Sequence, residues 1–213
     1  SSNPFIKARG PLMKRQSKAL IHRLAVLAIV GGVVIRAGTA AYAAVELSNK
    51  QANSYYASLT KLLKDCYARS GLALTKVYQS WDRYNTAPYE SATHGGRFVN
   101  NYANAKAKAY GKYEASGPMA VGGILVKDSF QVKKGKNGKN KVTPGPMFIM
   151  EKMAAGFNPS THDWKYSMIT VNGKIFGTTN GKGSKKMKFC ADCHNAVAED
   201  QDTMFYLPEE FRK

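Results

Sequence analysis

The chain has 213 residues, room for one good-sized domain and an appendage, and a hydrophobic content of 44% that suffices for a core. Its 32 Lys and Arg against 14 Asp and Glu give a net charge of +18, which points to acidic partners: nucleic acid, anionic lipid or an acidic protein face. No basic helix with interleaved aromatics appears, which argues against nucleic acid, and three cysteines, two of them in one short motif, leave no disulfide framework.

In chain order, Lys7, Arg9, Lys14, Arg15, Lys18 and Arg23 precede the apolar run Leu24–Ile35. After Arg36 small residues lead to Ala41-Tyr42-Ala43. This is the layout of a signal peptide: basic n-region, apolar h-region and A-x-A site. The Ser1 start, with no Met, is what trimming of an initiator Met before a small residue leaves, so the expectation is an uncleaved signal anchor. Residues 1–19 then form a basic cytoplasmic segment and 20–45 a single transmembrane span. Positive charge before the span places the N-terminus in the cytoplasm and the rest in the periplasm, on the inner membrane. Leu20–Ile35 gives a helix of about 24 Å, short of a hydrocarbon core of about 30 Å. Extending it to Ala44 brings Arg36 into the lipid bilayer, where it either snorkels to headgroups or pairs with an acid on a neighbouring subunit. Gly31, Gly32 and Gly38 would allow close helix packing.

Residues 46–80 read as a helical connector. Tyr55, Leu59, Leu62, Leu63, Cys66 and Tyr67 recur at three and four, an amphipathic stripe that serves as core or as a docking face onto the domain or a neighbour, and Ser70-Gly71 marks a break. From residue 81 the texture changes to short β-type runs: Phe98–Tyr102, Gly123–Val126, Met147–Met150, Tyr166–Val171 and Ile175-Phe176. Between them lie turn signals at Gly95-Gly96, Gly117-Pro118, Asn137-Gly138, Pro144-Gly-Pro146, Asn172-Gly173 and Asn180-Gly181. Asn172-Gly173 is a two-residue hairpin signal. The basic run Lys133–Lys141 reads as a solvated hairpin tip, with docking of an acidic partner as the alternative.

Near the C-terminus stands Cys190-Ala-Asp-Cys193-His194, the C-x-x-C-H spacing of a c-type haem attachment site. Two thiols three residues apart can each form a thioether with a haem vinyl group, and the following histidine can bind the iron. A zinc site would need a second Cys/His pair, and Cys66 stands alone upstream as a buried or incidental thiol. A thioredoxin-like pair expects a βαβ context and no obligatory histidine. The chain therefore reads as a cytochrome, and because covalent haem is attached outside the cytoplasm, nucleic acid is again excluded. The fold class is α+β: an N-terminal transmembrane helix and an amphipathic helix, then an antiparallel-sheet-dominated c-type haem domain over 81–213.

A sheet-rich domain with C-x-x-C-H close to its end resembles the cytochrome P-460 family. The resemblance runs through Trp81-Asp-Arg-Tyr84, His94-Gly-Gly-Arg97-Phe-Val-Asn-Asn-Tyr102, Gly123-Ile-Leu-Val-Lys127-Asp-Ser-Phe130, Gly145-Pro-Met-Phe148, Asp163-Trp164-Lys-Tyr166, and Phe189–His194 followed by Asp202-Thr-Met-Phe205 and Pro208. It implies a β-sheet, often homodimeric fold with one covalent haem c, five-coordinate through His194. Known members oxidise hydroxylamine, and the related cytochromes c′-beta bind nitric oxide. Lys127 matches a lysine that is cross-linked to the porphyrin edge in cytochrome P-460 and uncross-linked in the c′-beta relatives. Arg97 matches a distal arginine that would donate to a bound ligand, with a structural ion pair as its other reading. His94 is either a proton carrier or part of a turn. Glu151 is the nearest candidate for the acid that the hydroxylamine oxidisers place distally. Met147, Met150 and Met153 read as core, with a sixth iron ligand as the alternative. Three functions follow: redox chemistry at an open iron, electron transfer in a respiratory or photosynthetic chain through an acidic partner, or an accessory role in a membrane protein complex.

Overall fold

The computed structural model describes residues 45–213. The expected membrane span, its cytoplasmic extension and Arg36 lie, but for Val45, outside the described residues; among the described residues no helix is long and apolar enough to cross a membrane.

Helix α1, Asn49–Ala68, begins at a capping box: the Gln51 N–H donates to Ser48 Oγ, and the Ser48 N–H donates to Gln51 Oε1. The chain turns at Ser70-Gly71, where Gly71 takes φ +77°, as the sequence signal implies. The helix buries Ala52, Tyr56, Leu59, Leu63, Cys66 and Tyr67. Leu59, Leu63, Cys66 and Tyr67 are buried as expected, but Tyr56 is buried where Tyr55 packs only at the edge, and Leu62 is 45% exposed, so the stripe differs along one edge. It packs on the sheet through Phe98, Val126, Phe130, Met147, Ile149 and Ile169. Of the roles open to this stripe, packing on its own domain is the one observed, and Cys66 is a buried free thiol within it.

The described residues form one eight-stranded antiparallel sheet: β1 Asp82–Arg83, β2 Tyr89–Ser91, β3 Arg97–Ala103, β4 Ile124–Lys134, β5 Asn140–Pro144, β6 Met147–Lys152, β7 Trp164–Ile169 and β8 Ile175–Thr178. The expected strand runs are present. Strand β4 is the spine. It pairs with β3 along one side, while on the other its first half pairs with β6 and its second half with β5. Because side chains alternate across a strand, residues of β4 divide between faces. Val126, Asp128, Phe130 and Val132 lie under α1; Leu125 belongs to a second cluster, on the opposite face, with Val99, Trp164 and Tyr166.

The hairpin at Asn172-Gly173 joins β7 to β8, but with a three-residue loop in place of the two-residue one expected. The Gly173 N–H donates to the Thr170 carbonyl and the Thr170 N–H to the Lys174 carbonyl, with Gly173 alone at positive φ. The β4–β5 tip repeats this arrangement over Gly135–Lys139, with Gly138 at φ +74°. Both are turns closed by a left-handed glycine, which is why Asn-Gly stands in each.

Candidate functional site

A cavity of about 340 Å³ opens on the sheet face away from α1. Its floor is Asn101 of β3, Leu125 and Lys127 of β4, Phe148 and Met150 of β6, and Tyr166 of β7. The register sets Lys127 between Asn101 and Phe148, so the amine rises from mid-sheet. The cavity is lined by Tyr89–His94 and by helix α2, Lys188–His194, with the segment after it.

Cys190 and Cys193 are one helical turn apart on α2, project from one face and line the cavity as free thiols. His194 also lines it, 9% exposed, between the rings of Tyr166 and Phe205. Its Nδ1 lies 2.7 Å from the Thr203 carbonyl. A carbonyl only accepts, so Nδ1 carries the proton and Nε2 presents a lone pair. Burial, then the Lys127 charge, hold the imidazole neutral, its pKa pushed down to about 4 against the pull of Thr203. The turn that presents Thr203 is strained: Asp202 and Thr203 have φ of 45° and 63°. It is pinned by Asp202, whose carboxylate pairs with Lys152 at 2.6 Å and accepts from the Met119 N–H at 2.8 Å, and whose carbonyl accepts from the Trp164 indole at 2.9 Å. Asp202 thus orients the histidine at second hand. No local signal marks Asp202 for that role, because its contacts come from strands and loops far apart in the chain.

Elsewhere in the cavity, His94 accepts or donates at Nδ1 with Ser91 Oγ, 2.8 Å away, and its ring lies against Phe148. Burial, Lys127 and His194 push its pKa down to about 3. Burial lowers the Lys127 amine to about 8, opposed by the Cys193 thiol. As a thioether Cys193 carries no charge, so that opposition disappears once the thiol has reacted.

Two expected site residues stand elsewhere. Arg97 does not line the cavity; its guanidinium donates to the His94 carbonyl at 2.7 Å and holds the turn that carries this histidine. Gly95 leaves room for it, since a Cβ there would stand 2.1 Å from Arg97 Nη1. Glu151 pairs with Lys165 on the neighbouring strand and shares the strand parity of Met147 and Ile149, away from the cavity. The acid that lines the cavity is the exposed Glu90 of β2. Met147 is fully buried on the α1 side, Met150 lines the cavity, and Met153 does neither.

Neutral imidazole, paired thiols on one helix face and an apolar cleft between them fit a covalently held haem, with Cys190 and Cys193 placed for the vinyl groups and His194 Nε2 for the iron. The class this defines is a c-type haem cytochrome built on an antiparallel sheet. The cytochrome P460 family model matches residues 75–206, and the chain belongs to that family, whose members bind haem c covalently. No curated protein matches the chain.

Proposed function

We propose that this cytochrome carries out redox chemistry on small nitrogen compounds, of the hydroxylamine or nitric oxide type, at an open distal face of the haem. The observation that carries the reading is a cavity with one locked imidazole, His194, and a lysine amine, Lys127, rising from the sheet floor. The bound haem would supply an iron that exchanges electrons and takes a small ligand. Cys190 and Cys193 would fix its position, and the Thr203 carbonyl would hold the His194 tautomer that leaves Nε2 for the iron. Lys127 would be a hydrogen-bond donor toward the haem and, when neutral, a nucleophile toward the porphyrin, where a cross-link would also need a two-electron oxidant such as a peroxide to take up the electrons released. Arg97 acts through the His94 turn it secures.

A second reading is pure electron transfer. His94 lines the same cavity, and its Nε2 makes no hydrogen bond among the described residues, so it could serve as a sixth ligand. Carbon monoxide and nitric oxide added to the ferrous protein separate the two. Ready binding of both supports the open site; a six-coordinate spectrum resistant to both overturns it.

The layout of residues 1–45 supports an inner-membrane anchor with a periplasmic haem domain, and hence membership of a membrane protein complex. The lysine-rich tip between β4 and β5 and the net charge of +18 support an acidic redox partner protein; the family resemblance supports a homodimer. Deleting residues 1–45 while preserving export should release the folded haem domain from membranes, and retention there would remove the anchor from the account.

A further inference from the structure

Four tyrosines lead away from the haem cavity. Tyr110 and Tyr206 line it, with ring centroids 5.7 Å apart. Tyr110 meets Tyr84 edge-on at 5.5 Å, and Tyr113 touches both Tyr110 and Tyr206. Tyr84 and Tyr113 line a second, open groove of about 570 Å³, with Trp81, Asp82 and Arg83 beside them. The fold goes to some cost to assemble these rings. Tyr113 sits at φ 51°, ψ −123°, and its hydroxyl is buried without a partner. Gly111 makes space for Tyr84, since a Cβ there would stand 2.3 Å from that ring.

The charges around the two outer rings differ. The Arg212 guanidinium lies 4.3 Å from the Tyr113 ring centre, held there by Glu114, and a cation over a ring opposes loss of an electron from it. Burial and then the Asp82 carboxylate raise the Tyr84 phenol pKa. Arg83 and Lys213 also line the groove, but among the described residues no cation is stacked on the Tyr84 ring as Arg212 is on Tyr113. The groove around Tyr84 has an aromatic wall in Trp81 and polar groups in Asp82, Arg83 and Gln79, which suits a small phenol.

We propose that Tyr110 and Tyr84 form a relay that couples peroxide reduction in the haem cavity to one-electron oxidation of a small phenol in this groove. The proposal rests on haem occupying the cavity. Reducing hydrogen peroxide to two waters consumes two electrons and two protons. Tyr84 passes an electron inward through Tyr110; its exposed hydroxyl donates to the Lys108 carbonyl at 3.3 Å, which cannot take the proton, so the proton leaves to solvent water. Tyr84 then regains both from a bound phenol, which leaves as a phenoxyl radical, so two phenols are oxidised per peroxide.

The test uses the full-length holoprotein, hydrogen peroxide, 2-methoxyphenol and a nitroso spin trap. The wild type should give a tyrosyl radical by electron paramagnetic resonance and a trap adduct mapped to Tyr84 by mass spectrometry. Tyr84→Phe should still consume peroxide, lose the adduct at this position, and oxidise the phenol about tenfold more slowly or worse. Tyr84→Trp, which restores an oxidisable ring, should recover much of the rate. Unchanged phenol oxidation in Tyr84→Phe, or no tyrosyl radical in the wild type, would overturn the relay. Carbon monoxide binding keeps the outcomes apart: a failed relay with normal binding leaves the open-site reading standing. Labelled Tyr84 in a protein that refuses carbon monoxide would do the reverse.

Discussion

The two faces of this sheet are made from alternate residues of the same strands, yet their polar groups are handled in opposite ways. Under α1 the fully buried Asp128 accepts from Tyr56 at 2.7 Å, Tyr78 at 3.0 Å and Asn100 at 3.0 Å. Tyr102 bonds to Tyr56 in turn, and Arg83 adds its charge nearby. Burial still dominates and lifts this carboxyl to about 6. On the cavity face three basic nitrogens, those of His94, Lys127 and His194, share the lining with phenols and the two thiols. Lys127 depresses both histidines and His194 depresses His94, and among the described residues no carboxylate forms a hydrogen bond or ion pair with Lys127 or His194. One face is closed upon its own hydrogen bonds. The other is assembled with capacity to spare, which is the signature of a surface completed by something other than protein.

The largest expected effect tests whether the faces are independent. Cys190→Ser with Cys193→Ser should abolish covalent haem, seen as loss of haem staining on a denaturing gel, while circular dichroism retains the sheet and α1. Collapse of the fold would show that the α1 face needs the haem. The reverse experiment is Leu63→Ala, which empties a fully buried position under α1. It should cost about 2–5 kcal/mol in urea unfolding and leave the Soret band and carbon monoxide binding unchanged. A shifted spectrum would mean that packing under α1 reaches through the sheet.

The smallest effect is one of pH, and the two faces should oppose each other. Asp128 has a raised pKa, so its contribution is complete below the ordinary carboxylate value and is lost as pH rises from about 4 to about 6. That loss amounts to about 3 kcal/mol at most. His94 and His194 have lowered pKa values, so their contribution is present above about 6.5 and is lost as pH falls toward 4. In the haem-free double serine variant the slopes should partly cancel. Adding Asp128→Asn should leave the histidine slope alone, with stability rising more steeply with pH across this range. An unchanged profile would mean that Asp128 does not titrate there.

The strands and hairpin tips were legible because alternation and Asn-Gly turns are local signals. Helix α1 was legible too, but Tyr55-Tyr56 and Leu62-Leu63 are adjacent apolar pairs, and periodicity alone cannot choose within such a pair. The haem motif is contiguous and needed no fold to be seen. The distal assignments were harder. Glu151 follows Met150 by one residue, and one residue on a strand is a change of face. Lys127-Asp128 looks like a solvated charge pair until both faces of β4 are known to be covered. The support of His194 was least legible, since Thr203 contributes a backbone carbonyl and Asp202 is held by Lys152, Met119 and Trp164.

Strand β4 sets Lys127 and Asp128 side by side with opposite destinations. A slip of one residue against β3 and β6 would turn each to the other face. A lysine would then enter a closed network of phenols with no carboxylate to balance its charge, and a carboxylate would face the cavity side without the hydrogen bonds it now accepts. Each error is costly alone, and they occur together. This adjacent pair therefore acts as an alignment key, penalising a mispaired sheet before any cofactor arrives to test it.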